Sequence, residues 1–427
     1  MRKNLLIAIL VCLPLGVALS GCGGSGPAPV AADPVPPADQ RSLAAQVGEK
    51  IFNDPHLSGS TRMSCATCHD PRFAHGPPNT SPVQPGGVFE DQFGPRAAPS
   101  LRYLERGTPF ALENGSPVSV HGGFTFDGRV NTLAEQARVP LFNPIEMANS
   151  NPAQLIRTIR ASTYAPLFAQ AFGTADTEQA LLQVQQALQA FQLEDAQFHP
   201  YDSKFDLFLA TRVSLSAAEL RGMQVFNDPA RGNCAACHTS SSVDGKPPLF
   251  TNLGYAAIGV PRNPAIPANL DAAYADLGLC GPQRQDLAQD RYCGLFKTPT
   301  LRNVAQRPVL FHNGVMRDLK QAVQFYNTRD TRPELWYPTI SGTAVNDPAF
   351  PQFGLIKTRY SGGILQKFDD LPAKYQTNLT LRAPLDGRPA GSAPAMSDAE
   401  VQDLVCFLQT LSDHYQIGSA PGAGCGG

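Results

Sequence analysis

Residues 48–69 read GEKIFNDPHLSGSTRMSCATCH, and residues 222–238 read GMQVFNDPARGNCAACH. Both stretches carry Gly, Phe, Asn, Asp and Pro at the same spacing and end, after a short loop, in Cys-x-x-Cys-His. Cys-x-x-Cys followed at once by His is the spacing at which a chain attaches a c-type haem. The repeat therefore predicts two related units, each with its own haem pocket.

The two motifs supply the candidate haem-binding residues. In each motif the cysteines would form thioether bonds to the porphyrin, and the His would bind the iron from the proximal side. Zinc is the alternative, because Cys-x-x-Cys also occurs in zinc sites. The adjoining His and the similar helix before each motif favour haem. The predicted set is Cys65, Cys68 and His69 for the first haem, and Cys234, Cys237 and His238 for the second.

The elements around the motifs have helical patterns. Ser216 and Glu219 form a capping box before the second motif, and Ser397 and Glu400 form another near the C-terminal end. Apolar residues at helical spacing mark further helices, and no run indicates a substantial sheet. The predicted fold is mainly α, with two cytochrome c-like helical domains, each carrying one covalent haem, and few or no strands.

The N-terminal segment predicts export. Residues 1–21 combine a basic start with the apolar stretch Leu5 to Leu19, as in a signal peptide. The stretch is short for a membrane span. The four residues ending at Cys22 resemble a bacterial lipobox, so lipid is expected on Cys22, with residues 22–40 as a flexible tether. We expect a periplasmic protein that is anchored to a membrane by this lipid.

Charge and the remaining cysteines narrow the function classes. The formal net charge is −2 in 427 residues, which gives no reason to expect nucleic-acid binding. Four cysteines lie outside the signal segment, Cys22 and the haem motifs, an even number that suggests two disulfides in an oxidising compartment. Short loops favour Cys280 with Cys293 and Cys406 with Cys425, but sequence alone leaves the connectivity open.

A longer series of motifs resembles a known family. From about residue 41 to about residue 415 the chain is similar to bacterial di-haem cytochrome c peroxidases of the group that includes MauG. Each matching motif is weak alone, and their order along the chain is specific. The matches are Ser64–Pro71, Ala98–Leu101, Phe126–Arg129, Glu135–Ala137, Asn143–Met147, Phe296–Asn303, Phe311–Gly314 and Phe325–Asp330.

The resemblance implies unequal roles for the two units. Residues 41–213 would form the domain of the peroxidatic haem, and residues 214–427 that of the electron-transfer haem. Glu135 matches the acid that the family places above the peroxide-binding haem. There it would take a proton from peroxide and return it to the departing oxygen. The alternative is an acid that only stabilises a helix N-terminus.

The resemblance also bears on the open face of the first iron. Other family members carry a removable His downstream of the proximal one, and residues 86–91 contain no His. His75 and His121 are interpreted as structural. The first haem is therefore expected to be open without reductive activation.

The second iron has three candidate sixth ligands, His312, Met316 and Tyr326. The register of the family motifs favours Tyr326, where MauG-like members have an axial Tyr. Met316 is the alternative; Met and Tyr ligands set different reduction potentials.

Calcium is a further cofactor that the resemblance raises. The family holds a calcium ion between the haems with the help of an Asn, and Ala97 takes that place here. Calcium needs oxygen ligands, which the Ala97 side chain lacks. Backbone carbonyls near Gln306 and Pro308 keep the question open.

Three functions are compatible with these features. The first is reduction of hydrogen peroxide at the N-terminal haem, with electrons from a small redox protein relayed through the C-terminal haem. The second is a MauG-like enzyme that uses a peroxide-derived high-valent haem to oxidise side chains of a partner protein. The third is a non-enzymatic electron carrier or haem sensor, which would need both irons capped by protein ligands.

Overall fold

The computed structural model describes residues 40–113, 119–337 and 367–426. Within them the chain is mainly helical, with six two- or three-residue strands that pair into three antiparallel ribbons. The mainly helical fold with a few short strands agrees with the prediction, and one covalent haem in each domain stays a prediction. The helices are α1 (Leu43–Asn53), α2 (Cys65–Cys68), α3 (Leu133–Phe142), α4 (Pro152–Ala161), α5 (Ala165–Phe172), α6 (Thr177–Glu194), α7 (Lys204–Leu209), α8 (Ala217–Asn227), α9 (Leu319–Thr328) and α10 (Asp398–Gln409). The ribbons pair β1 (Pro85–Gly86) with β2 (Gln92–Phe93), β3 (Ala111–Glu113) with β4 (Ser119–His121), and β5 (Tyr255–Ala256) with β6 (Phe296–Lys297).

The helix before each haem motif crosses a later helix at a glycine. A Cβ atom at Gly48 of α1 would overlap the carbonyl oxygen of Ala187 on α6. A Cβ atom at Gly222 of α8 would overlap that of Asp403 on α10. The repeated Gly of the sequence is thus the residue that lets two backbones touch. It explains why both copies of the motif begin with Gly.

The capping boxes form as predicted. Ser216 Oγ accepts from Glu219 N at 3.2 Å, and the Glu219 carboxylate accepts from Ser216 N at 2.7 Å. Ser397 and Glu400 make the same reciprocal pair at the start of α10. These bonds satisfy amide hydrogens that the first turn of a helix leaves without partners.

Two separate apolar cores follow the two copies. One joins residues from Val47 to Phe198, with α1, α4 and α6 at its centre. The other joins residues from Phe205 to Leu411, with α8, α9 and α10. We refer to residues 40–213 as the first half and residues 214–426 as the second half. Phe205 of α7 packs into the second core although it lies in the first half.

Buried ion pairs tie the halves together. Arg102 donates to Asp413 at 2.9 Å, and Arg302 donates to both oxygens of Asp206 at 2.8 and 2.9 Å. All four side chains are buried, where a pair that lost one partner would be costly. Each pair joins the two halves, so neither half is independent of the other.

Both predicted disulfides are present, Cys280–Cys293 and Cys406–Cys425. The predicted signal peptide, Cys22 and most of the tether lie outside the described residues. Among the residues that the structure does describe, no helix has the length and apolar character needed to cross a membrane.

Candidate haem sites

Each proximal histidine is held by one backbone carbonyl. His69 Nδ1 donates to the carbonyl oxygen of His75 at 3.2 Å, and His238 Nδ1 donates to that of Phe250 at 2.9 Å. A hydrogen bond at Nδ1 fixes the tautomer and leaves Nε2 for a metal. Both imidazoles are therefore prepared to bind iron through Nε2.

The carbonyls that hold these histidines come from matching turns. His75 and Phe250 both have left-handed backbone, with φ of 52° and 53°. In each half a hydroxyl braces the residue before: Ser100 Oγ donates to Ala74 O, and Thr300 Oγ1 donates to Leu249 O, both at 2.6 Å. The sequence carried this second repeat as Pro-Ser-Leu-Arg at 99–102 and Pro-Thr-Leu-Arg at 299–302. It was read as two family motifs, and its role as a repeated brace was missed.

The donor groups suit a c-type haem. Burial lowers the pKa of His238 to about 4 and also lowers the pKa of His69, so both rings are neutral. Burial raises the pKa of Cys65 and of Cys234 to about 12. All four motif cysteines are free thiols rather than disulfide partners. Neutral imidazoles and reduced thiols are the forms that iron ligation and thioether formation require.

A large apolar cavity opens beside His238. Cys234, Cys237 and Tyr326 share its wall with this His. A flat apolar ring needs such a lining, with a few polar groups to fix its orientation. The residues therefore fit a haem at this place. Apolar lining residues include Phe226, Val304, Leu310, Val323, Leu404 and Leu408.

Tyr326, and not Met316, faces this cavity. Burial raises the pKa of Tyr326, and the nearby thiols of Cys237 and Cys234 raise it further. Met316 has no exposed surface and packs into the second core. His312 also lines the cavity, but its ring lies flat on Phe296 with 3.6 Å between centroids. The geometry thus favours Tyr326 over Met316, and the assignment as iron ligand stays a prediction.

Glu135 lies in the first turn of α3. Its Oε2 accepts from Asn131 N at 2.6 Å, and its own N donates to Thr132 Oγ1 at 3.1 Å. The side chain is exposed and borders a hollow with Val139 and Asn143. Glu135 therefore caps the helix, as the alternative interpretation expected, and it also faces an open space.

A second carboxyl group, Glu146, was missed by the sequence analysis. Asn143 Nδ2 donates to it at 2.7 Å, and Asn143 also borders the hollow of Glu135. Burial raises the pKa of Glu146, and its charge in turn raises the pKa of Cys68. The carboxyl therefore lies near the first haem motif. The Asn143–Met147 motif contained this residue, but nothing in the spacing indicated where it would fold.

Two of the other histidines of the first half, His75 and His121, make contacts that suit a structural role. The His75 ring stacks on Phe198, with 4.1 Å between centroids, and contributes to the site through its backbone. His121 lies on β4 beside Glu113, with 3.8 Å between the Nδ1 and Oε1 atoms. This geometry is consistent with the structural interpretation of both.

Cations and carboxylates fill the space between the two halves. Arg96 pairs with Asp127 at 2.7 Å and with Asp276 at 2.6 Å. Ala97, on the cavity wall, donates its N–H to the carbonyl of His312 at 2.8 Å. In the described part of the chain no three His, Cys, Asp or Glu side chains are arranged to hold a metal ion. The candidate calcium ligands considered for this chain remain the backbone carbonyls near Gln306 and Pro308.

The segment after Trp336 contributes to the second site. Trp336 and Tyr337 are fully buried, and Asp370, Leu371 and Arg382 form part of the cavity wall. The sequence pattern of this segment does not indicate these contacts, because they join residues far apart in the chain.

Comparison with known proteins places the chain in a family. Residues 42–214 match the family model described as di-haem cytochrome c peroxidase. The methylamine utilization protein MauG of Paracoccus denitrificans is 32% identical over 417 residues, covering 95% of this chain and 95% of MauG. Cytochrome c551 peroxidase of Pseudomonas aeruginosa is 30% identical over 281 residues, covering 65% of this chain and 70% of that protein.

Solved structures agree with these relatives. The diheme peroxidase BthA of Burkholderia thailandensis superposes with a TM-score of 0.74 at 37% identity, covering 87% of this chain and 86% of BthA. Fold, paired haem motifs and relatives all point to peroxidase-type oxidoreductases with two c-type haems. The chain belongs to the di-haem cytochrome c peroxidase and MauG family.

Proposed function

We propose that the protein is an exported di-haem peroxidase. It reduces hydrogen peroxide at the site of His69, and electrons reach that site through the site of His238. The observation that carries the proposal is the inequality of two sites built on one scaffold. The second site has a tyrosine in its cavity, whereas the carboxyl group of Glu146 lies near Cys68 of the first motif, and β1 and β2 contain no histidine.

The chain would hold each haem through the residues of its motif. Cys65 and Cys68 bind one porphyrin, with His69 below the iron, and the second motif repeats this with His238. When bound, each haem supplies an iron centre that exchanges single electrons, and an open face permits peroxide binding. The Nδ1 bonds to the carbonyls orient both rings, and burial keeps the rings neutral.

Glu135 would handle the proton of peroxide. Asn131 N–H donates to its carboxylate, and this bond orients the side chain at the start of α3. It would then return that proton to the oxygen that leaves as water. Two electrons and two protons convert one peroxide into two water molecules. Glu146, held by Asn143, would keep a second carboxyl close to the same site.

Tyr326 would cap the second iron, with Met316 as the alternative ligand. The place of Tyr326 in the cavity, close to both thiols of its motif, supports this assignment. A capped iron suits electron transfer rather than peroxide binding. The two domains, residues 41–213 and 214–427, would then be the peroxidatic and the electron-transfer domains.

Oxidation of a partner protein is the second candidate. Tyr326 in the cavity is the observation that favours it, because the resemblance assigns an axial tyrosine to the MauG-like members. The electron source would then be a side chain of the partner, and not a small redox protein. In both cases we expect a periplasmic location, with lipid at Cys22.

One set of experiments on the purified full-length protein separates these candidates. We expect the resting ferric electron paramagnetic resonance spectrum to contain one high-spin and one low-spin signal. Addition of peroxide should change the haem absorption, and reduced cytochrome c should then be oxidised in steady state. Reaction with peroxide without turnover of cytochrome c would favour the partner-protein reaction. Two low-spin signals with no peroxide reaction would contradict both and leave an electron carrier or sensor.

A further inference from the structure

Asp370 is a buried carboxyl group in the wall of the second haem cavity. Only 8% of the residue is exposed, and it borders the same cavity as His238 and Tyr326. None of the sequence motifs pointed to it. A buried carboxylate is costly unless it is fully paired, so its partners decide whether it keeps its charge.

Arg262, the cation that pairs with Asp370 among the described residues, is shared with other acceptors. Arg262 Nη1 donates to Asp370 at 3.1 Å. The backbone N of Arg262 donates to the neighbouring Asp369 at 3.0 Å. Three of the four remaining guanidinium hydrogens go to the carbonyls of Asn269, Asp271 and Tyr274, at 3.2, 2.6 and 2.7 Å. Arg262 is thus only a partial counter-charge for Asp370.

The other charged groups near Asp370 do not neutralise its carboxylate. Asp276 is held by Arg96 with two bonds, at 2.6 and 2.7 Å, and Arg96 also binds Asp127. The pKa of Asp370 is raised to about 8: burial is the main cause, Arg262 lowers the pKa, and the charges of Asp369 and Asp276 raise it.

Two other cations on the cavity wall bond to backbone carbonyls. Lys297 Nζ donates to the carbonyl of Gly123, and Arg307 donates to the carbonyls of Thr300 and Arg302. Arg382 also lines the wall. Among the described residues, the ion pair of Asp370 is that with Arg262.

Two neutral polar groups near this cluster lack partners among the described residues. They are His312 Nε2, on the cavity wall, and the hydroxyl of Tyr274. The pKa of His312 is lowered to about 4, mainly by burial, and that of Tyr274 is raised to about 12. Neither changes charge near neutral pH. Both can hold water molecules that carry a proton, since buried water bonds to such groups.

We propose that Asp370 binds the proton that accompanies an electron onto the second haem. When one electron enters that haem, the Asp370 carboxylate takes one proton from solvent and becomes a carboxylic acid. When the electron leaves toward the first site, the proton returns to solvent. No bond of the haem changes, and the net charge of the cavity stays constant. The inference rests on the proposed function only in assigning a redox-active haem to His238.

The test is the reduction potential of each haem in the holoprotein, measured spectroelectrochemically across pH. A carboxyl that binds a proton more tightly when the haem is reduced makes the potential fall as pH rises. We expect this slope for the second haem in a window that includes the pKa of about 8. The Asp370→Asn variant should be flat in that window. Asp369→Asn is the matched control, because Asp369 is an adjacent, half-buried acid absent from the cavity wall. It should keep the slope, in a window at lower pH, because its charge raises the pKa of Asp370.

Two results would overturn the inference. A flat profile for the wild-type second haem excludes proton coupling there, whether or not the variants fold. A slope that survives in Asp370→Asn assigns the proton to another group, such as Tyr326. Peroxide turnover is measured on the same samples. Its absence beside a slope that depends on Asp370 would contradict the proposed function and leave this inference standing.

Discussion

In the first half the carbonyl of His75 accepts the ring hydrogen of His69, and in the second half the carbonyl of Phe250 does the same for His238. Apart from this shared hydrogen bond, the sites of the two halves differ. The second half encloses its site in an apolar cavity with Tyr326 on the wall. The first half keeps Glu135 exposed at a helix start. Duplication thus preserved the parts that hold a haem, and the parts that face its reactive side diverged.

The largest effects are expected from substitution of the two glycines at which helices cross, because both halves share this arrangement. Gly48→Val should separate α1 from α6, and Gly222→Val should separate α8 from α10, because a Cβ atom has no room at either crossing. We expect each to lower the free energy of unfolding by more than about 4 kcal/mol. Each should reduce haem incorporation most strongly in its own half. Haem content and denaturant unfolding measure both effects.

Gly426→Val is the matched control, since a Cβ atom there meets open space. It should retain both haems. If the two crossing variants also retained both haems at wild-type stability, the helix crossings would not be the common base of the two halves.

The carboxyl groups of the first half test the difference between the sites. Glu135→Gln should lower kcat/KM for peroxide by about 10²- to 10⁴-fold, the range for loss of a general acid–base group. Glu146→Gln should have a smaller effect, because Glu146 is linked to the hollow beside Glu135 by its hydrogen bond with Asn143. Haem spectra should stay unchanged in both variants. The reverse order of effects would assign the proton transfer to Glu146.

Some features of the two halves could be predicted from the sequence, and others could not. The capping box of Ser216 and the pairing of Cys406 with Cys425 depend on residues close in the chain, and the structure contains both. Haem attachment at the two motifs stays a prediction. Glu146 and Asp370 were missed because burial and neighbours from distant segments give them their properties. The spacing of residues in a sequence predicts local geometry, but it does not predict the electrostatic environment that the fold creates around a side chain.

The disulfide between Cys406 and Cys425 tests whether the halves unfold separately. It joins α10 to the C-terminal segment, and both sulfurs pack with Ala218 of α8. Replacing both cysteines by Ser should lower the free energy of unfolding of the second half by about 3 kcal/mol, as expected for a loop of this size. The absorption of each haem during urea unfolding reports its own half. Equal destabilisation of both halves would mean that the pairs of Arg102 and Arg302 make the protein unfold as one unit.

The smallest expected change in stability is at the second iron. Tyr326→Phe keeps the ring that packs against Phe311 at 5.9 Å and removes only the hydroxyl. It should cost about 1 kcal/mol or less and convert the low-spin signal of the second haem to high spin. Met316→Leu should leave that spectrum unchanged and cost less than about 1.5 kcal/mol, because it conserves volume in a packed core. A Met–iron charge-transfer band in the near infrared that disappears in Met316→Leu would reverse the assignment. In that case the second site would be a relay with a higher potential, and the case for oxidation of a partner protein would lose its main support.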